Sequence, residues 1–321
     1  MSANQYFFLL LYISMAARFC NSVRPNILLI LADDLGYGDT SVSPFTGSFL
    51  LTPNLETMAK QGMKWTNFHS AAPTCTPARI SILTGLYPWR LGAAAVFEYG
   101  EKGHSNRDDW LVQVPTGAMI FRDANYSTIH SGKWHMGGMR NDDLYMRKNG
   151  RKCPHPGPNQ LGFTDYISML DGPGSPRQNE LQVSNVLHSF GGRFLLHNDA
   201  NYTCTDDLLS DCEANNAIRL MKASVARGQS FYTHVTFHVP HGPWEYLPQF
   251  EEMLRKETRT VGYEKENEYR TMVASMDHSI GLLLQALKDL EIEENTLVVF
   301  TSDNGPEVRE VNKEVACKIL N

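Results

Sequence analysis

The chain has 321 residues, a formal net charge of −6 and 42% hydrophobic residues. That length accommodates one large α/β domain or two ordinary ones, with enough apolar content for a real core. The acidic balance, with no basic run and no heptad pattern, excludes an electrostatic nucleic-acid binder and a coiled coil.

The first predicted element is a leader. Residues 6–17 are apolar but too few to span a bilayer, and small residues follow up to Cys20, so residues 1–20 read as a signal peptide even though no Lys or Arg precedes the apolar run. Two glycosylation triplets, Asn125-Tyr126-Ser127 and Asn201-Tyr202-Thr203, fit a secretory route, and no later stretch approaches a transmembrane helix. The expectation is a secreted or lysosomal protein with no membrane partner. Of the cysteines Cys20, Cys75, Cys153, Cys204, Cys212 and Cys317, the pair Cys204 and Cys212 is spaced to close a small disulfide loop. No Cys-x-x-Cys pair suggests zinc.

Residues 26–32 form a continuous apolar run, a strand covered on both faces, and it ends in Asp33-Asp34. Paired carboxylates at the carboxyl end of a buried strand suit Ca²⁺ or Mg²⁺, or a solvated turn. Gly36 and Gly38 follow, but Ser41 stands where a dinucleotide loop needs its third glycine. Thr52-Pro53 opens a helix through Gln61 with Gly62 at its end, and residues 64–68 read as a strand. Next comes Cys75-Thr76-Pro77-Ala78-Arg79. Thr76 as N-cap and Pro77 at the first helical position place Cys75 just ahead of a helix, in a field that suits an anionic ligand. The apolar run Ile80-Ser81-Ile82-Leu83 and then Thr84-Gly85-Leu86-Tyr87-Pro88 follow, and residues 92–114 read as loops.

Thr116 caps a short helix to residue 124, and a strand from residue 126 ends at Gly132-Lys133-Trp134-His135-Met136-Gly137, which puts Lys133 and His135 just past its end. Residues 140–174, rich in Gly, Pro and charge, read as a long loop that either lines a substrate rim or is merely structural. A helix over 207–226 precedes a strand over 231–237, beyond which lie His238 and His241. Residues 266–290 carry Met272, Met276, Ile280, Leu283, Leu284 and Leu287 at helical spacing, a core stripe. Residues 296–301 read as another buried strand, which ends at Asp303-Asn304. If these strands are parallel neighbours, Asp33, Asp34, Lys133, His135, His241, Asp303 and Asn304 converge on one sheet edge. The oxygen ligands point to Ca²⁺ or Mg²⁺ over zinc.

The segment from Cys75 to Pro88 resembles the signature of the type I, formylglycine-dependent sulfatases, and Gly132 to Gly137 resembles their second signature. The resemblance runs from about residue 25 to 307 and is nearest the arylsulfatase A and N-acetylgalactosamine-6-sulfatase branch. It implies an alkaline-phosphatase-like α/β fold with a large, mostly parallel central sheet between helices. It further implies that residues 24–321 form the catalytic N-terminal domain, incomplete at its C-terminal end, with the family's smaller C-terminal domain and a further active-site lysine missing. By residue match, Cys75 becomes formylglycine through a formylglycine-generating enzyme, and its hydrate attacks the sulfur of a sulfated glycan or aryl sulfate. Arg79 orients it, and Asp33, Asp34, Asp303 and Asn304, with the modified Cys75, bind one Ca²⁺. Lys133 and His241 contact the sulfate or the leaving oxygen, His135 assists proton removal, and His238 is a structural neighbour. Two other readings stand beside this one: a phosphatase or phosphodiesterase on the same scaffold, and a catalytically silent, secreted anion-binding protein.

Overall fold

The computed structural model describes residues 24–43, 52–93, 114–136, 156–170, 195–242, 244–252 and 264–306. The expected signal peptide, the loops within 94–113, most of the 140–174 segment, the tail from residue 307, and Cys20, Cys153 and Cys317 lie outside the described residues.

Among those residues, β1 (Asn26–Ala32), β2 (Ser127–Lys133), β3 (Asp165–Met169), β4 (Leu195–His197), β5 (Ala200–Tyr202), β6 (Phe231–Thr236) and β7 (Thr296–Ser302) form one sheet. Their order is β5-β4-β3-β2-β6-β1-β7. From β3 to β7 every pairing is parallel, and β4 and β5 add an antiparallel margin. The expected parallel arrangement therefore holds, and β2, β6, β1 and β7 end side by side.

Five helices cover the sheet among the described residues: α1 (Pro53–Gln61), α2 (Cys75–Thr84), α3 (Gly117–Asp123), α4 (Leu209–Ala226) and α5 (Glu264–Asp289). On one face Ala217, Leu220 and Met221 of α4, with Met272, Met276 and Ile280 of α5, pack with Leu28, Ile30 and Val235 of the strands. On the other, Ile80 and Leu83 of α2 and Ala118 of α3 share a core with Trp134, Phe163, Tyr166 and Tyr232. Each fully buried Leu, Ile, Val, Met or Phe among them contributes about 1.5–3 kcal/mol. α1 is fastened to α5 through its first turn, where the Asn54 and Leu55 N–H groups donate to the Asp277 carboxylate at 3.0 Å each. α3 begins as expected, with Thr116 Oγ1 accepting from Met119 N at 3.1 Å. Cys204 and Cys212 form the expected disulfide just before α4's second turn.

Four local expectations change. Thr74, extended at φ −140°, is the N-cap of α2, so Cys75 is its first residue rather than the residue ahead of it. Lys133 is the last residue of β2, not one beyond. Residues 64–68 are not a strand: they carry the right alternation but have no ladder partner among the described residues, and Trp65 and Phe68 stand exposed. Conversely β3 lies inside the stretch read as loop, where pairing with β2 overrides the surrounding Gly and Pro.

Candidate active site

Arg79 organises the carboxyl ends of the strands. It lies one turn inside α2, 1% exposed, and aims back at the sheet. Its Nε donates to Asp303 Oδ2 at 2.9 Å, its Nη2 to Asp33 Oδ1 at 2.9 Å, and its Nη1 to the Lys133 carbonyl at 3.0 Å. One planar fork thereby joins the ends of β1, β2 and β7. Lys133 Nζ closes on the other Asp33 oxygen and stands 3.8 Å from Cys75 Sγ.

The carboxyl groups respond differently to the same buried setting. Burial opposes the charge on Asp33, but Lys133 and Arg79 outweigh it and hold its carboxyl well below the usual range. For Asp303 burial wins over Arg79, with the Asp33 charge adding to it, and its carboxyl is pushed up to about 7. Asp34 is raised by burial and by the Asp33 charge. A site that crowds this much carboxylate is short of positive charge.

Asp34 sits at φ 62°, a left-handed conformation that is uncommon outside glycine, and its N–H donates to Asp303 Oδ1 at 3.1 Å. Cys75 Sγ lies 3.7 Å from Asp34 Oδ1, and His241 Nε2 lies 3.5 Å from Asp34 Oδ2. Asn304 donates to Asp34 Oδ1 at 2.5 Å, while its own Oδ1 is buried without a hydrogen-bond partner. Ligand atoms of Asp34, Cys75 and His241 lie within 4.8 Å of one another, as do those of Asp33, Cys75 and Asp303. The orphaned amide oxygen among hard carboxylate oxygens fits a divalent cation of the Ca²⁺ or Mg²⁺ kind. The Cys75 thiol, pushed up by burial despite Lys133, is no thiolate in this setting.

His135 lies at the rim, at φ 48°, with its Nδ1 buried and unpartnered and its carbonyl accepting from Thr76 Oγ1 at 3.0 Å. Burial, with Lys133 and Arg79 nearby, keeps it neutral by depressing its pKa. Asp33, Asp34, Lys133, His241 and Asp303 thus gather around Cys75, with Arg79 and Asn304 bonded to their carboxyl groups and the His135 backbone held by Thr76. The sequence reading passed over Glu213, which bonds His238 beneath the site. Its signal was a charge in the apolar stripe of α4 beside Leu209, Ala217 and Leu220.

The family model described as Sulfatase matches residues 25–318. The chain belongs to the sulfatase family. Among relatives of this chain, the arylsulfatase of Klebsiella aerogenes is 28% identical, the match covering 88% of this chain and 66% of the relative. The N-acetylgalactosamine-6-sulfatase of Homo sapiens is also 28% identical, over 88% of this chain and 50% of its own length. The crystal structure of Ps i-CgsB is 26% identical with a TM-score of 0.70, covering 88% of this chain and 59% of that one. That protein is also solved in complex with k-i-k-neocarrahexaose. The chain spans about half to two thirds of the length of the curated relatives it matches.

Proposed function

We propose that this sulfatase-family chain hydrolyses sulfate esters of carbohydrates or aryl alcohols, with Cys75 matured to formylglycine and one Ca²⁺ in the site. The observation that supports it best is the position of Cys75: the first residue of α2, between Lys133 on one side and Asp34 with His241 on the other. The substrate class follows from the relatives' names and the oligosaccharide bound by Ps i-CgsB. Maturation by a formylglycine-generating enzyme and passage through the secretory pathway to a lysosome or the exterior belong to the same reading.

Here Cys75 Sγ marks where the oxygen atoms of the matured residue stand. Bound by Asp33, Asp34, Asp303, Asn304 and the matured Cys75, Ca²⁺ supplies Lewis-acid polarisation, and formylglycine supplies, once hydrated, the nucleophilic hydroxyl. The rest is the work of side chains. Arg79 fixes Asp33 and Asp303 and keeps the floor of the site rigid. Lys133 and His241 flank the sulfate, neutralising its oxygens, and His241 protonates the departing alkoxide. His135, with an unpartnered ring nitrogen, accepts the proton that must leave when sulfate is released.

The test is to express the full chain in a secretory host with formylglycine-generating enzyme, weigh the peptide holding Cys75, and follow aryl sulfate turnover beside Cys75→Ala. We expect conversion of Cys75, turnover that needs Ca²⁺, and a loss of at least about a thousandfold in the variant. An unmodified Cys75 in folded protein would overturn the catalytic reading and favour a silent anion-binding protein.

A further inference from the structure

The chemistry above makes no use of Glu213, whose side chain is 1% exposed on the buried face of α4. Its surroundings are fully built. One carboxylate oxygen meets His238 Nδ1, the other accepts the His238 backbone N–H at 3.3 Å, and the Ser131 hydroxyl donates to the Glu213 carbonyl at 2.7 Å. These bonds reach two strand ends. Ser131 lies two residues before Lys133 on β2. His238 opens the turn that delivers His241, whose N–H donates to the His238 carbonyl at 3.1 Å.

The same turn is tied to β1 where Asp33 N–H donates to Val239 O at 3.3 Å, so it is gripped from both sides. Burial raises the Glu213 carboxyl and lowers the His238 ring, which leaves the pair neutral and adds no field beside Lys133. Leucine, as at Leu209 and Leu220 on the same stripe, would fill that space without burying a carboxyl group.

We propose that Glu213 is a positioning residue whose side chain clamps the His238 turn, and with it His241, to α4, which the Ser131 hydroxyl in turn ties to β2 ahead of Lys133, so that Lys133 and His241 keep their spacing around the sulfate. The inference rests on the sulfatase reading of the site. Displacing a substrate-binding group by an ångström can lower turnover about a hundredfold, and the clamp is what resists that displacement.

The experiment compares wild type, E213L, E213Q and S131A of the full, matured chain. It records the melting temperature, the fraction of Cys75 converted, kcat and KM for an aryl sulfate, and inhibition by inorganic sulfate. We expect E213L to lower kcat/KM per converted molecule about a hundredfold and to weaken inhibition by sulfate. E213Q should recover most of both, because its amide can accept from the His238 N–H and donate to Nδ1. S131A, which cuts only the tie between β2 and the residue-213 backbone carbonyl, should lower kcat/KM less than E213L does. A folded, converted E213L with wild-type kcat/KM and sulfate inhibition, altered only in melting temperature, overturns the proposal. Should E213L fail to fold, the smaller truncation E213A decides: unchanged kinetics there overturn it equally. A converted wild type that neither turns over nor is stabilised by sulfate removes the sulfatase reading and this inference with it. An active wild type beside an equally active E213L removes the inference alone.

Discussion

Arg79 shows how one residue can serve both stability and site geometry. Taking a guanidinium out of water is expensive, and here the cost is offset only because its donors meet Asp33, Asp303 and the Lys133 carbonyl. Removing it leaves carboxyl groups buried without their counter-charge. Arg79→Leu should therefore destabilise the metal-free protein by roughly 3–5 kcal/mol. Arg79→Lys keeps the charge but cannot reproduce a fork that reaches three strand ends, so it should remain well short of wild type. Urea unfolding in the presence of a chelator measures both, and a lysine variant as stable as wild type would show that charge, not geometry, is what the site requires.

At the scale of elements, the decisive contact is between β2 and β6. Gly132 has φ 104°, and a Cβ there would stand 2.0 Å from the Thr236 carbonyl oxygen, a backbone atom that cannot step aside. Gly132→Ala would force β2 away from β6 one residue before Lys133, so we expect a loss of several kcal/mol, above the ordinary range of roughly 0.5–3 for single substitutions. A melting temperature within a few degrees of wild type would contradict this. The sequence disclosed β1 and β7 as apolar runs, β1 because a strand covered on both faces is apolar throughout; the expectation of burial fails for β7, which stands at the margin of the described sheet with Leu297 and Val299 exposed. It disclosed β2 less directly, since Ser127–Lys133 is largely polar and is identified by where it leads. The three-residue strands β4 and β5 left no pattern to read, and residues 64–68 had a strand's alternation without a partner. The site was more legible than the fold, because Asp33, Asp34, Lys133, His241, Asp303 and Asn304 all sit where strands stop. Glu213 was not, because a helix interior gives no sign of which strand ends it will touch.

Across the whole molecule, buried titratable groups pull stability in opposite directions, and the pH window of each follows from its shift. His130, His135, His234 and His238 are all depressed, first by burial, His234 to about 3. Below about pH 6.5 the unfolded chain protonates them and the native chain does not, so each weakens the fold as pH falls, by ~1.4 kcal/mol per pH unit. Asp39, Glu213 and Asp277 are raised by burial, and so are Asp34 and Asp303 in the metal-free protein. Above about pH 4 the unfolded chain has released those protons and the native chain retains them, so these groups weaken the fold as pH rises. Between about pH 4 and 6.5 the two sets oppose one another. Below pH 4 the raised carboxyls are protonated in both states, leaving the histidines, joined by the depressed Asp33, to unfold the protein in acid. Toward neutrality the histidines fall silent and Asp303 continues to ionise up to about 7. The metal-free protein should accordingly melt highest on the acid side of neutrality, with a steep fall below pH 4 and a gentler one toward pH 7. Adding Ca²⁺, which binds the ionised carboxylates, should lift the neutral end most and move the maximum upward. Scanning calorimetry from pH 3 to 8, with chelator and with Ca²⁺, reads both curves. A metal-free maximum at pH 8 would contradict the raised carboxyls, and a Ca²⁺ effect greatest in acid would mean that the cation does not sit among Asp33, Asp34, Asp303 and Asn304.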